Sequence, residues 1–411
     1  MSGTLVLIGG KDPLTDDAGH SSYVRAHGLA ARRAGYRPIV LCAGESAAVT
    51  ETAFGTVVRC ATRVRPVRHL MLLALQRDLI PALVRLGLEQ PGPLLVHGIA
   101  IWSYLGLAAG ERLRPRGRRS TTIMSAYATA PDETRSQLAG VDGEPLAARA
   151  SYAAQWLWAG AVSARLERAG LTGSAAVYAN YDVVRRLIQE RYGAGIEVEH
   201  APYATERAFE DLWTGPEPPE AAALEPRDAP LLLTMSSHDG RKGVDVVIEA
   251  IARARDRGTP LRACLLGGGR LLEAHRRRIA ELGLGRSVAA IGWAADNRPY
   301  LAAADLFALP SRAEQSGSMA VLEALQYSLP VVATAVDGIP EDVTDGDSAL
   351  LVPPGDAAAL AAALVRLVDD PGLRDRIAAG GREVYERRFT ADAFASGLRE
   401  IYVGHGLEPL D

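Results

Sequence analysis

Short apolar runs alternate with amphipathic segments along most of this chain. The first run, Thr4–Ile8, ends at Gly9-Gly10, and Ser21–Arg33 follows with apolar residues at helical spacing on one side. Strands that alternate with helices predict a parallel sheet covered on both faces. The further strands and helices predicted in this half are Pro38–Cys42, Val57–Ala61, Arg68–Leu86, Leu94–His97, Trp102–Arg112, Thr121–Met124, Ala175–Ala179, Val183–Arg191 and Ile196–Glu199.

The alternation stops at a proline-rich stretch with acidic residues and alanines, 214–230, which is typical of a linker. It then restarts. The strands and helices predicted beyond it are Leu231–Met235, Val244–Arg257, Leu261–Leu266, Leu271–Leu282, Val288–Ile291, Pro299–Ala304, Leu306–Leu309, Ser318–Tyr327, Pro330–Ala333, Asp356–Val368, Leu373–Arg388 and Ala391–Val403. We therefore expect two doubly wound, Rossmann-like α/β domains over residues 1–209 and 231–388, a linker at 210–230, and a closing helix within 389–411 that crosses back to the first domain.

Composition narrows the class of protein. A length of 411 residues fits two or three domains, and a net charge of −4 gives no electrostatic reason to bind nucleic acid. The three cysteines are far apart and lie in or beside apolar runs, which favours buried, reduced thiols. No leader-like segment and no long apolar run are evident, so we expect a soluble, cytoplasmic protein. The oligomeric state is left open.

Ligands of open α/β sheets bind beyond the carboxyl ends of the strands, so the strand-end loops are the candidate sites. The loop Ser236–Gly243 follows an apolar strand and opens a helix, whose free N–H groups suit phosphate. It contains Lys242, one of only two lysines in an arginine-rich chain. A capped surface turn is the alternative interpretation.

Three more strand-end loops are unusual. Gly267-Gly268-Gly269 allows a ligand to approach the backbone closely, although such a turn is often structural. Glu314 lies in the loop Pro310–Ser318, and Glu323 lies in the apolar helix that follows. A carboxylate there needs a partner, either sugar hydroxyls or an arginine of the same protein. Asp337–Glu341 indicates a tight turn that presents N–H groups and a carboxylate.

Taken together, these motifs resemble the retaining family-4 glycosyltransferases of GT-B fold, over about residues 231–389. The resemblance implies two domains that face each other across a cleft, with the acceptor on the first and the sugar nucleotide on the second. The matching segments are Lys242-Gly243-Val244-Asp245, Ala304-Asp305-Leu306 with Pro310-Ser311, Glu314 through Glu323-Ala324, Gly338-Ile339-Pro340-Glu341 and Leu351-Val352-Pro353-Pro354-Gly355.

The resemblance also implies roles for individual residues. Lys242 would hold the donor diphosphate, Glu323 the ribose hydroxyls and Glu314 the hydroxyls of the transferred sugar. Gly317 and Ser318 would offer N–H groups to the phosphates. The full set of candidates comprises catalytic Lys242, Glu314 and His97; donor-binding Ser237, Arg241, Gly268, Gly269, Trp293, Ser316, Gly317, Ser318 and Glu323; and acceptor-side Gly19, His20, Ser125 and Tyr127.

The chain departs from the family pattern at several positions. Ser236-Ser237 replaces the usual Gly-Arg, so Arg241 is expected to substitute for the missing arginine. The two glutamates are nine positions apart instead of eight, so either the loop has one extra residue or Gln315 takes the sugar-facing place. Ser125 stands where many members have a histidine. His97 could serve nearby, or could be a strand-end histidine bonded to the backbone.

We therefore expect a metal-independent, retaining hexosyltransferase without a cofactor, using a nucleoside-diphosphate sugar, with UDP favoured. A small natural product or metabolite is the expected acceptor. The alternatives are a glycolipid acceptor reached by peripheral membrane contact, and a non-catalytic nucleotide-sugar binder. Basic clusters at Arg63, Arg65 and Arg68 and over residues 112–119 motivate the membrane alternative. A dehydrogenase is disfavoured, because Gly-x-Gly-x-x-Gly does not follow the first strand.

Overall fold

The computed structural model describes residues 3–15, 19–62, 71–132, 150, 153–154 and 157–410. These residues form two compact units. The first extends to Phe209 and takes in the segment that begins at Arg388, and the second comprises Glu210–Arg387. Each unit is an α/β fold built on its own β-sheet. The predicted fold class, with two Rossmann-like halves, is therefore confirmed.

The sheet of the first unit has eight strands in the order β3-β4-β2-β1-β5-β6-β7-β8. All neighbours are parallel except β3 and β4, which form an antiparallel hairpin at one edge. The strands are β1 Thr4–Gly10, β2 Ile39–Gly44, β3 Ala48–Thr52, β4 Gly55–Ala61, β5 Leu94–Ile99, β6 Ser120–Ala126, β7 Val177–Ala179 and β8 Glu199–His200. The described helices before residue 210 are α1 Gly19–Arg33, α2 Met71–Glu89, α3 Ser103–Leu113, α4 Ala164–Gly173 and α5 Asp182–Tyr192.

The sheet of the second unit has six parallel strands in the order β11-β10-β9-β12-β13-β14. The strands are β9 Leu231–Met235, β10 Arg262–Leu266, β11 Val288–Gly292, β12 Leu306–Leu309, β13 Val331–Thr334 and β14 Leu350–Val352. The helices are α6 Pro219–Ala222, α7 Val244–Asp256, α8 Leu272–Glu281, α9 Arg298–Ala303, α10 Met319–Gln326, α11 Ile339–Asp342, α12 Ala357–Asp369 and α13 Pro371–Arg388. Apolar residues of β9, β10 and β12 pack against α7 and α12 to form the core.

The last helix, α14 (Ala391–Gly404), belongs to the first unit. The ring of Phe394 meets the ring of His27 edge-on, with 5.0 Å between centroids. Tyr36 of the first unit donates its hydroxyl proton to the carbonyl of Leu407, 2.9 Å away. These contacts place the end of the chain against α1.

An edge strand and the segment between the two sheets differ from the sequence prediction. The edge strand β3 was not predicted, because its residues are mostly exposed and polar and show no apolar face. The segment expected as a linker is part of the second unit: Ala221 and Leu224 are buried, and the guanidinium of Arg262 donates to the carbonyls of Ala229 and Ala221. The predicted start of α2 at Arg68, like Arg63 and Arg65, lies outside the described residues.

The strand order reverses once in each sheet, between β1 and β5 and between β9 and β12. At such a point the connections leave on opposite sides of the sheet, and a crevice opens beyond the carboxyl ends of the two strands. In the second unit, the loops that follow β9 and β12 carry Lys242 and Glu314.

Candidate functional site

Lys242 and Glu314 meet at the reversal point of the second sheet. Because β9 and β12 are neighbours, their carboxyl-end loops lie side by side. The ammonium nitrogen Nζ of Lys242 is 2.7 and 2.6 Å from the two carboxylate oxygens of Glu314. The two side chains are 16% and 6% exposed, so the ion pair is largely shielded from water. It is a buried charge pair at the place where this fold binds ligands.

The loop between β12 and α10 is held in shape by side chains around Glu314. The Ser311 hydroxyl donates to Glu314 Oε1 at 2.5 Å, and Thr334 donates to the carbonyl of Ser311 at 2.5 Å. The carboxylate of Asp337 accepts from the backbone N–H groups of Glu314 and Gln315, at 2.6 and 2.7 Å. The loop is therefore a rigid frame for the Glu314 carboxylate.

Asp337 and Gln315 both adopt left-handed backbone conformations, with φ of 49° and 73°. Such values are uncommon outside glycine and cost free energy, so the contacts around the loop must hold them. Gln315 is buried, and its N–H binds Asp337. The structure thus ties Glu314 to Lys242 and places Gln315 beside it in the same frame.

A second ion pair ties the loop to the start of α7. Arg312 binds Asp245 through two hydrogen bonds of 2.8 and 2.7 Å and also donates to the carbonyl of Gly240. Burial raises the pKa of Asp245, but the Arg312 guanidinium outweighs burial, so the net shift is below the usual range. Arg241 reaches the carbonyl of Ala313 at 3.3 Å. The Asp of the Lys-Gly-x-Asp motif is therefore an anchor between two loops.

The glycine loop after β10 packs on the loop after β9. A Cβ on Gly267 would lie 2.0 Å from the Ser236 carbonyl oxygen, and one on Gly269 would lie 2.5 Å from that of His238. Both glycines are thus required by packing. A Cβ on Gly268 would meet nothing within 4 Å, so Gly268 alone leaves backbone open to an approaching group. Ser237 donates its hydroxyl proton to Asp239, 2.6 Å away.

Glu323 lies on α10 and accepts a 2.7 Å hydrogen bond from the side-chain amide of Asn297. Asn297 precedes α9, so one partner of this carboxylate is the side-chain amide of another loop. Ser318 is buried and precedes α10 without a side-chain cap, so the first N–H groups of the helix lack intrahelical acceptors. Ser316 and Gly317 lie just before it. Trp293, after β11, is 64% exposed, so its side chain is not part of the core.

In the first unit, the candidates His97 and Ser125 lie in one buried hydrogen-bond network. His97 is fully buried in β5, and its Nδ1 lies 2.9 Å from the Tyr402 hydroxyl and its Nε2 2.7 Å from the Ser125 hydroxyl. Burial lowers the pKa of His97 well below its usual range, with His27 adding to the shift. Both ring nitrogens of His97 therefore have hydrogen-bond partners within the first unit.

The other acceptor-side candidates lie around an aromatic cluster. Gly19 begins α1, and the ring of His20 contacts the carbonyl of Gly9 at 2.5 Å. The Tyr127 ring lies against Tyr23 with 3.7 Å between centroids. Burial raises the pKa of Tyr127 well above its usual value. His20 and Tyr127 are thus neighbours at the carboxyl end of the first sheet.

The comparison with protein families locates the site within a known domain. Residues 229–370 match the model of glycosyl transferases group 1. These residues form a glycosyl transferases group 1 domain. The domain covers the second sheet through α12 and includes Lys242, Glu314, Asp337 and Glu323. Over this part of the chain, the resemblance drawn from the sequence is confirmed.

Named relatives match somewhat less than half of this chain. The chain is 35% identical over 176 residues to the lipopolysaccharide core biosynthesis glycosyltransferase LpsE of Rhizobium meliloti, which is 43% of this chain and 50% of that protein. It is 30% identical over 182 residues to the alpha-D-kanosaminyltransferase of Streptomyces kanamyceticus, which is 44% of this chain and 47% of that protein. The chain thus spans about half the length of the curated relatives it matches.

Solved structures resemble the whole chain in fold. The sucrose-phosphate synthase from Thermosynechococcus elongatus has a TM-score of 0.73 at 23% identity and is covered over 99% of both chains. Anabaena HepE in complex with UDP-glucose has a TM-score of 0.69 at 18% identity, over 98% of this chain and 100% of HepE. Both are GT-B neighbours, so the group 1 domain here is the second half of a GT-B fold.

Several contacts of the group 1 domain were not predicted from the sequence. Asn297, Arg312 and the buried pair His238 and His275 all contact predicted site residues or their loops. His238 and Arg312 lie in the predicted strand-end loops, but the partners of all four residues are far away along the chain. In the described part of the chain, no helix is long and apolar enough to cross a membrane.

Proposed function

We propose that this protein is a retaining glycosyltransferase that moves a hexose-type sugar from a nucleoside-diphosphate sugar, preferably a UDP-sugar, to an acceptor hydroxyl. The observation that carries the proposal is the buried Lys242–Glu314 pair at the strand-order reversal of the group 1 domain. A carboxylate and an ammonium there offer a partner for sugar hydroxyls and one for a diphosphate. The fold shared with a UDP-glucose complex supports the same donor class.

In the proposed reaction, the acceptor oxygen forms a bond to the anomeric carbon while the bond from that carbon to the diphosphate breaks. The departing diphosphate oxygen takes the acceptor proton, and the new bond forms on the face that the diphosphate leaves. Lys242, Arg241 and the N–H groups before α10 stabilise the charge that grows on the diphosphate. The proposed reaction uses no metal ion.

Donor binding changes the partners of Lys242 in this proposal. In the structure, the Glu314 carboxylate neutralises Lys242. A diphosphate that reaches Lys242 competes for the ammonium group, and Glu314 is then available to accept sugar hydroxyls. Asp337 and Ser311 keep the Glu314 loop in place during this exchange. Glu323 lies on α10 and Asn297 just before α9, and we place the ribose of the donor beside these two side chains.

We propose a small natural product or metabolite as the acceptor. The kanosaminyltransferase match supports this choice. The first unit is the proposed acceptor side, through His20 and Tyr127 beside α1. The aromatic rings there offer apolar faces with polar edges, which suit a sugar-like or ring-shaped acceptor.

A glycolipid acceptor at a membrane surface is the second candidate. Arg112, Arg114, Arg116 and Arg119 are exposed around the end of α3, and a relative is named for lipopolysaccharide core biosynthesis. Clustered basic residues attract anionic lipid headgroups. Co-sedimentation with phosphatidylglycerol vesicles separates the candidates. Binding that is lost when all four arginines become glutamine favours the glycolipid, whereas no binding favours the small acceptor.

The donor half of the proposal is tested by incubating the protein with UDP-glucose, UDP-galactose, UDP-N-acetylglucosamine or GDP-mannose in EDTA and measuring nucleoside diphosphate release. We expect slow hydrolysis of one donor and faster release with candidate acceptors. Proton NMR of the product then reads the anomeric configuration, which should be that of the donor. An inverted product contradicts the retaining mechanism, and no release from any donor contradicts the enzyme assignment.

A further inference from the structure

Two buried histidines face each other behind the loops of the donor site. His238 lies in the loop after β9, and His275 lies on α8. Their Nδ1 atoms are 2.8 Å apart, and the two residues are 0% and 5% exposed. A hydrogen bond between two Nδ1 atoms needs one to carry a proton and the other to carry none. The geometry therefore requires the two rings to be opposite tautomers when both are neutral.

The surroundings keep the rings neutral at pH 7. Burial lowers the pKa of His238 to about 4, and His275 and Arg276 add to the shift while Asp239 opposes it. Burial also lowers the pKa of His275, which Asp245 raises and Arg312 lowers further. In a neutral pair of opposite tautomers, one Nδ1 donates and the other accepts, so a single hydrogen bond joins the two rings.

The pair joins two loops that the donor must contact. The backbone N–H of His238 donates to the carbonyl of Gly268 at 2.8 Å, and the His238 carbonyl accepts from Leu271 at 2.9 Å. Leu271 starts the turn that leads to His275, whose N–H donates back to Leu271 at 2.8 Å. Four residues after His238 the same loop reaches Lys242. The side-chain bond thus closes a ring of contacts between the Lys242 loop and the glycine loop.

We propose that the His238–His275 hydrogen bond is a positioning device that holds the Lys242 loop against the glycine loop 267–269, so that both loops are placed for one diphosphate. The inference rests on the proposed function, since it presumes that Lys242 and Gly268 face the same ligand. His238 and His275 touch no substrate in this account and act through the backbone of the loops.

The test uses the full-length protein and four variants: His238→Leu, His275→Leu, the double variant, and His275→Asn, whose amide can replace Nδ1 as the donor. Affinity is measured by calorimetry well below the melting temperature for UDP, GDP, ADP and dTDP, and the tightest ligand of the parent is then used. Each single leucine leaves one buried nitrogen without its partner, so we expect about tenfold weaker binding. The double variant and His275→Asn should bind within about threefold of the parent, because neither leaves a lone partner.

Three results would overturn the proposal: single variants that bind within twofold of the parent, a double variant no tighter than the weaker single variant, or nitrogen-15 spectra that show the same tautomer for both rings. A change in melting temperature alone, with unchanged affinity, also rejects a positioning role. If the parent binds none of the four nucleotides, the proposed function fails, and with it the link to the donor. The nitrogen-15 spectra then still show whether the His238–His275 hydrogen bond forms.

Discussion

The two units share the same reversal of strand order but differ in what lies beside it. In the second unit the loops after β9 and β12 bring Lys242 and Glu314 together as full charges. In the first unit, β5 carries His97, which is fully buried between Tyr402 and Ser125. The strand order reverses in both units, and the side chains decide whether a charged pair or packed interior lies beside the reversal.

The difference has a structural source. In the first unit, α14 returns from the end of the chain and contributes Tyr402 and Phe394, which cover His97 and His27. In the second unit, the loop between β12 and α10 is long and is braced from outside by Asp337 and Thr334. Asp337 and Thr334 bind backbone groups of this loop, so they hold the loop without binding the carboxylate of Glu314.

The largest effect is expected from Lys242→Ala. Removing the ammonium group takes away the main charge that stabilises the departing diphosphate, so turnover should fall by ~10²-fold or more. Arg253→Ala, at an exposed position of α7, the helix that follows the Lys242 loop, is the control and should keep parent turnover. If folded Lys242→Ala keeps near-parent turnover, the charge of Lys242 at the strand-order reversal of the second sheet does not serve the reaction. The comparison between the two units would then fail.

The next effect is expected from Asp337→Ala. Its carboxylate accepts from two N–H groups of the Glu314 loop, so without it the loop should lose its fixed shape and donor KM should rise about tenfold. Asp337→Asn keeps a side-chain acceptor and tolerates the left-handed backbone, so it should recover much of the affinity. Equal KM values for both variants and the parent would show that the brace is dispensable.

Tyr402→Phe tests the first unit. It leaves Nδ1 of buried His97 without its partner, which should cost about 1–3 kcal/mol and lower the melting temperature by several degrees. Turnover per folded molecule should stay near that of the parent, because the network is structural. A strong loss of turnover without a loss of stability would restore His97 as a catalytic residue.

The smallest effect concerns Glu167, a buried carboxyl of the first unit. Burial raises its pKa to about 7, although Tyr192 and the Ala130 N–H oppose the shift. A carboxyl whose pKa is raised on folding stabilises the protein at low pH and loses that contribution as pH rises from about 4.5 through 7. Glu167→Gln should therefore melt a few degrees above the parent at pH 8 and show no such gain at pH 4.5. Exposed Glu190→Gln serves as the control, and a gain that is the same at both pH values contradicts the assignment.

Much of the second unit could be predicted from the sequence, and less of the first. Apolar runs such as Leu231–Met235 and Leu306–Leu309 are strands that are buried apart from the partly exposed Met235, and such runs are detected well from the sequence. Lys242 and Glu314 lie in the predicted strand-end loops, but their direct contact depends on β9 and β12 being neighbours, which local pattern does not show. The buried state of His97 depends on Tyr402, 305 residues away along the chain. Local signals cannot detect such a partner.

The central claim is that the second unit binds a nucleoside diphosphate through Lys242. It is tested most directly by thermal stabilisation of the parent and of Lys242→Ala with UDP, GDP, ADP, dTDP and NAD, without metal. A ligand at about 100 times its Kd adds ~2.7 kcal/mol to the free energy of unfolding. The account predicts a clear rise in melting temperature with one nucleoside diphosphate, and little or none in Lys242→Ala. Three results would contradict it: a rise with NAD alone, no rise with any nucleotide, or an equal rise in the parent and in Lys242→Ala.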